Sequence, residues 1–325
     1  MKSATFPRHT LFAVTVWTLV AAAFLLVACG GGTDEKTDAR PSVFVSIAPQ
    51  AFLVREVAGD RAQVHTLLPP GQSPHSFSPT PRQIAALATA RLYFRIGVEL
   101  EEAVMPKLSG MSPELKIVDL RRGVHLRDMA GHHGHDEHDH ATEHEHDGHA
   151  HHAGTDPHIW LSPRIAATMV ETIREGLTGI MPGDSAHFAL NARRLHVRLD
   201  SLDRAIAEAL APLRGRKLFV FHPSFGYFAD AYGLQQVAVE TGGKEPSAKQ
   251  LTALIEQARR EAAKVIFVQP QFSPRSARAV AEAIEGTVVA IDPLAEDYLA
   301  NLGRIAEAVR QGIGGNRTSS PIAGD

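Results

Sequence analysis

The chain is expected to be an α/β protein: two (βα)4-type lobes with parallel sheets, joined by one long backbone helix. Three observations predict this. Short β-rich runs alternate with helical stretches on both sides of residues 184–213, the pattern of a parallel sheet covered by helices. The stretch 184–213 has no Gly, and no Pro before Pro212. Its Leu195, Leu199, Leu202, Ile206, Leu210 and Leu213 recur at steps of three or four, which makes one apolar helical face. Asp184 and Ser185 can cap its start, and Pro212 with Gly215 ends it. Such a helix would span about 45 Å. Finally, 325 residues with 44% hydrophobic and 21% charged content suffice for two globular domains.

The N-terminus reads as an export signal. Lys2 and Arg8 precede an apolar run over 11–27, too short and too cleavage-like at its end for a membrane span. Leu26-Val27-Ala28-Cys29-Gly30 resembles the bacterial lipobox. Residues 1–28 are therefore expected to be a signal peptide, with Cys29 lipidated and 29–40 a flexible tether. Cys29 is the only cysteine, so an intramolecular disulfide and a Cys-based zinc finger are both excluded. A net charge of −3 gives no electrostatic case for nucleic acid.

The first lobe is expected over 41–183. Strands fall at 43–48, 63–68, 92–96 and 116–120, with helices at 50–58, 81–90 and 99–108. Thr80 caps the second of these helices and Pro81 takes its first position. His75 lies in the four-proline loop 69–79, just past a strand end, where open α/β sheets bind ligands. Segment 131–154 consists almost entirely of His, Asp, Glu, Gly and Ala. It cannot bury a core and is expected to be disordered. Its His132, His133, His135, His138, His140, His144, His146, His149, His151 and His152 make it a candidate metal-collecting loop. Order resumes at Asp156-Pro157-His158-Ile159-Trp160, and a helix over 163–180 follows. Beside Trp160, His158 reads equally as a packed residue and as a ligand.

The second lobe is expected over 214–312, with a frayed tail at 313–325. Strands fall at 217–221, 236–240, 265–269 and 287–291. Helices fall at 224–232, 248–263, 274–284 and 296–311. His222 and Asp292 sit just past the first and fourth strands, although Asp292 alone reads as a turn or cap residue. Taken together, His75, His158, His222 and Asp292 suggest a metal site in the cleft between the lobes.

At the level of motifs the sequence resembles the periplasmic receptors of zinc and manganese ABC transporters, the ZnuA/TroA group or bacterial solute-binding protein family nine. The carriers are Gly71-Gln72-Ser73-Pro74-His75-Ser76-Phe77, Asp156-Pro157-His158-Ile159-Trp160-Leu161, Phe221-His222-Pro223-Ser224-Phe225-Gly226-Tyr227-Phe228, Gly242-Gly243-Lys244-Glu245-Pro246-Ser247 and Ile291-Asp292-Pro293-Leu294. The resemblance spans about residues 41–312. It implies one metal ion held between the lobes by His75, His158, His222 and Asp292, then delivered to a permease and its ATPase. It also implies a monomeric protein outside the cytoplasm, lipid-anchored through Cys29. The family's manganese receptors typically carry Glu in place of the third motif's ligand. His222, a softer donor, points to Zn²⁺ over Mn²⁺. Two features of some zinc members are missing: Pro74 stands where they have Glu, and there is no Cys pair in the second lobe. Glu240 is a candidate for orienting a ligand imidazole. His65, His125, His187 and His196 carry no motif and read as ordinary polar residues.

Other readings compete with a zinc receptor. One is a manganese receptor of the same family, and another is a surface metal buffer or adhesin centred on the His-rich loop. A zinc hydrolase is disfavoured, because four protein ligands close the site and no His-Glu-x-x-His stretch occurs. The stiff linking helix predicts a small closing motion, with His222 and Asp292 drawn onto His75 and His158.

Overall fold

The computed structural model describes residues 40–108, 112–129, 154–240 and 247–315. The export signal with Cys29, the ten clustered histidines, residues 241–246 and the tail from 316 lie outside these residues. The first lobe runs β1 (Ser42–Val45), α1 (Ala48–Ala58), β2 (Gln63–Thr66), α2 (Pro81–Ala88), β3 (Leu92–Arg95), α3 (Leu100–Leu108) and β4 (Lys116–Asp119). After α4 (Pro163–Ile180) comes the linking helix α5 (Ser185–Leu210). The second lobe runs β5 (Lys217–Val220), α6 (Gly226–Tyr232), β6 (Gln235–Ala238), α7 (Ala248–Arg260), β7 (Val265–Val268), α8 (Arg275–Ala283), β8 (Thr287–Ala290) and α9 (Tyr298–Gly314).

Both sheets are wholly parallel and share one strand order, β2-β1-β3-β4 in the first and β6-β5-β7-β8 in the second. In each, the first and third strands of the lobe are neighbours whose following connections run to opposite sides. This is the switch point, where a crevice opens beyond the strand ends. No helix among the described residues is long and apolar enough to cross a membrane.

Local chemistry accounts for the element ends. β1 stops three residues short of the expected boundary. Pro49 occupies the first turn of α1, and the Gln50 side chain folds back to accept from the backbone N–H of Ser46 and Ile47. Thr80 and Gln83 close a capping box at α2, and Ser247 and Gln250 do so at α7, each satisfying two otherwise orphaned groups. Asp184 stands at the cap position of α5, but its side chain makes no cap bond; it faces Arg61 at 3.5 Å instead. The linking helix is 26 residues long, about 39 Å at 1.5 Å per residue. It continues as a 3-10 turn over Ala211–Leu213, where Pro212 removes a helical donor. Helix α9 extends past the expected end to Gly314. Gly312, one residue past the expected end, is a packing glycine: a Cβ there would stand 2.8 Å from the Phe267 ring.

One core runs through both lobes. Leu195, Leu199, Ile206, Leu210 and Leu213 are buried, and Leu202 packs partly buried beside them. Helix α5 lies against α1 and α4 of the first lobe and α9 of the second. Trp160 is fully buried between the lobes; its indole N–H donates to the Pro293 carbonyl at 2.8 Å, and the Tyr298 hydroxyl donates back to the Trp160 carbonyl. A separate apolar cluster around Phe219, Val239, Leu254 and Ile266 fills the far side of the second sheet. Replacing Trp160 by Phe keeps most of the packing but strands a buried carbonyl at the lobe junction. A loss of about 1–3 kcal/mol is expected, read as a lower urea midpoint with an unchanged slope.

Candidate metal centre

Each of three histidines is set by its own local device. The loop carrying His75 turns on Ser73, whose carbonyl accepts from Ser76 and Phe77 and whose hydroxyl accepts from the His75 N–H at 3.3 Å. Asp156 Oδ1 accepts from the His158 backbone N–H at 2.9 Å and starts the 3-10 turn Ile159–Leu161. His222 lies two residues beyond β5 and is clamped across the switch point by Gln269 on the end of β7. The Gln269 amide oxygen accepts from the His222 N–H at 3.1 Å, and its amide nitrogen donates to the His222 carbonyl at 2.8 Å.

The three rings converge. One ligand-type atom from each of His75, His158 and His222 lies within 4.8 Å of the other two, and the Nε2 atoms of His75 and His222 are 3.0 Å apart. Two nitrogens on a tetrahedral zinc at 2.0–2.1 Å stand about 3.3 Å apart, so the spacing fits a shared ion. His158 and His222 are almost fully buried, at 4% and 2% exposure. Phe272 stacks on His222 with centroids 4.8 Å apart, and Trp160 lies against His158. The cavity among them is about 10 Å³, room for a single water or ion.

Every Nδ1 is occupied by a carboxylate. His75 pairs with Glu99 at 2.9 Å, His158 with Asp156 at 2.7 Å, and His222 with Glu240. A carboxylate oxygen accepts, so Nδ1 carries the proton and Nε2 keeps its lone pair. Three lone pairs therefore face one small space, an arrangement that calls for a cation. Burial would raise the Glu99 pKa, but the hydrogen bond and charge of His75, together with His158, outweigh it and hold the carboxyl at about 2. Burial lowers His222 to about 4; His158 and His75 push the same way, against the pull of Glu240.

Asp292 stands outside the three-histidine group. Its Oδ1 accepts from the Gln271 amide at 2.8 Å and from the Leu294 N–H at 2.9 Å, and its carbonyl accepts from Asn301. Its neighbours Pro293 and Leu294 line the cavity. Glu240 pairs with the His222 imidazole. Glu99 and Asp156 also orient rings, though the sequence reading assigned them no such part. The signal available for Asp156 was its place two residues before His158, the offset of an Asx-type turn. For Glu99 no local signal existed. Three of the histidines without motifs lie elsewhere: His65 stacks on Phe44, His187 bonds Asn191 and His196 bonds Glu171.

Residues 43–312 match the model of a family described as ZnuA, zinc-uptake complex component A, periplasmic. The chain belongs to this family. It is 35% identical over 297 residues to the high-affinity zinc uptake system protein ZnuA of Paracoccus denitrificans, covering 83% of this chain and 89% of that one. It is 28% identical over 302 residues to the zinc-binding lipoprotein AdcA of Streptococcus pneumoniae, where the match takes 89% of this chain but only 58% of the longer relative. A crystal structure of a ZnuA deletion mutant with zinc bound superposes with a TM-score of 0.75 at 32% identity, covering 87% of this chain and 100% of that one. The family is one of solute-binding receptors of the periplasm, and the two-lobe architecture seen here is its fold.

The depressed His222 has a consequence for acid stability. An unfolded imidazole takes its proton near pH 6.5, whereas folded His222 resists until about 4. The unfolded chain thus binds more protons in that window, and folded stability is full above it and falls as pH drops through it. In chelator-treated protein the urea midpoint should fall from pH 7 to pH 4.5, and less steeply in His222→Gln. Parallel slopes for the two proteins would refute this origin.

Proposed function

We propose that the chain is a high-affinity extracytoplasmic receptor. It captures one Zn²⁺ between its lobes and delivers it to the permease and ATPase of an ABC importer. The observation that carries this reading is the convergence of three Nε2 lone pairs, each fixed by a carboxylate behind it, on a cavity with room for one ion. A sugar or peptide cannot enter such a space, and a bound ion would leave no room for a reacting substrate, which supports a receptor over an enzyme. Imidazole nitrogens suit zinc, while manganese prefers oxygen-rich sites.

In this reading His75, His158 and His222 supply three nitrogens. Asp292 closes the shell through Oδ2, which no hydrogen bond occupies among the described residues, while Gln271 and the Leu294 N–H hold Oδ1. The shared core and the Trp160–Pro293 bond restrict capture to a short approach of the second-lobe residues. The His-rich segment 132–152 serves as an accessory collector, and Cys29 anchors the mature chain to a membrane through lipid. Export is supported by the family's periplasmic description and anchorage by the lipoprotein name of AdcA.

Calorimetric titration of residues 30–325 with Zn²⁺ and Mn²⁺, beside a variant lacking 132–152, tests the assignment. One tight zinc site should survive the deletion, with weaker sites lost. Single changes His75→Ala, His158→Ala and His222→Ala should each weaken it at least 100-fold, and Glu240→Gln by 10- to 100-fold, as loss of an orienting partner does. Tight binding that vanished with the loop would favour a metal buffer, and tight Mn²⁺ with weak Zn²⁺ would change the cargo. Affinity should fall as pH falls, because protons compete for the ligand nitrogens.

A further inference from the structure

Next to the metal centre, residues 127–129 and 154–156 form a short antiparallel ribbon where the His-rich insertion joins the lobe. Asp156 N–H donates to the Arg127 carbonyl, Met129 N–H donates to the Gly154 carbonyl, and Asp128 bridges Thr155. The ribbon rests on α6 of the second lobe. The Tyr227 hydroxyl accepts from the Arg127 backbone N–H and donates to the Asp156 carbonyl, both at 3.0 Å. The Arg127 guanidinium lies 5.8 Å above the Tyr227 ring. It spans two carboxylates, with Nε 3.6 Å from Asp230 on α6 and Nη1 3.9 Å from Asp156 Oδ2. Gly226 makes room for it: a Cβ there would overlap Arg127 Nη1 and stand 2.8 Å from Asp156 Oδ2. Neither Nε nor Nη1 has a hydrogen-bond partner among the described residues, and carboxylates flank the group on both sides.

Asp156 is itself buried at 2% exposure, and its other oxygen takes both N–H groups of His158. A buried carboxylate needs a counter-charge. Among the described residues, the only cation within ion-pair range of it besides the His158 ring is Arg127. On the opposite side the guanidinium is tied to α6, the helix that begins four residues after His222.

We propose that Arg127 is a positioning residue for metal capture, a strut between the lobes that sets Asp156, and through it His158, in register with His222. The proposal rests on the zinc-site reading above. It assigns a role in binding to a residue in no recognised motif, and it explains why position 226 lacks a side chain.

The test uses the full chain, with zinc affinity from competition with a chromophoric chelator, the visible spectrum of the Co²⁺-loaded protein, and a thermal melt of each variant. Arg127→Met should weaken zinc about tenfold and alter the Co²⁺ bands. Gly226→Ala, which changes no ligand and no charge, should do the same by displacing the guanidinium. Arg127→Lys, which reaches one carboxylate but not both, should recover part of the loss. Asp156→Asn should weaken zinc comparably, and Arg127→Met should add nothing in that background, because Arg127 acts through Asp156. Wild-type affinity and spectrum in Arg127→Met would overturn the proposal, and so would losses that multiply in the double variant. A wild-type chain with no tight zinc site would instead overturn the reading beneath it.

Discussion

Three imidazoles point unshared electron pairs at one another, and a carboxylate stands behind each. His75 and His222 bring their Nε2 atoms to 3.0 Å, close enough to share a proton or a cation, and Phe272 and Trp160 wall the space with apolar rings. The rings cannot turn away without breaking the bonds from Nδ1 to Glu99, Asp156 and Glu240. The protein thus holds three donors in a fixed convergence. The stability to do so comes from the packed core around it, as expected of functional sites that are costly in isolation.

The fold supplies that stiffness in two ways. The shared strand order puts a switch-point crevice on each lobe. Glu99 follows β3 in one crevice, and His222 follows β5 in the other, fastened to Gln269 on β7. The linking helix and α9 then merge the lobes into a common apolar core. Beside the site, Trp160 and Tyr227 bond across the junction, so the cleft behaves as a seam within one body.

Much of this was legible in the sequence because its causes are local. Alternating βα units, the Leu repeat of α5, the Thr80–Pro81 start of α2 and histidines just past strand ends all act over a few residues. What escaped depends on distance in space. Glu99 meets His75 from 24 positions away in sequence, across the sheet, and Arg127 meets Asp230 from the other lobe. Gly312 lies past the expected end of the last helix, and its role is set by the Phe267 ring that crowds a side chain there. Asp292 shows a further limit: a motif can place a residue beside the cavity, but the direction of its carboxylate follows from Gln271 and Leu294.

The donor set has a cost on the ion's side as well. An ion held by three imidazole nitrogens gives up a water for each of them. Magnesium gives up its water reluctantly. Reluctant dehydration and a preference for oxygen donors both disfavour that ion at such a site. Selectivity among the remaining ions can then rest on nitrogen against oxygen.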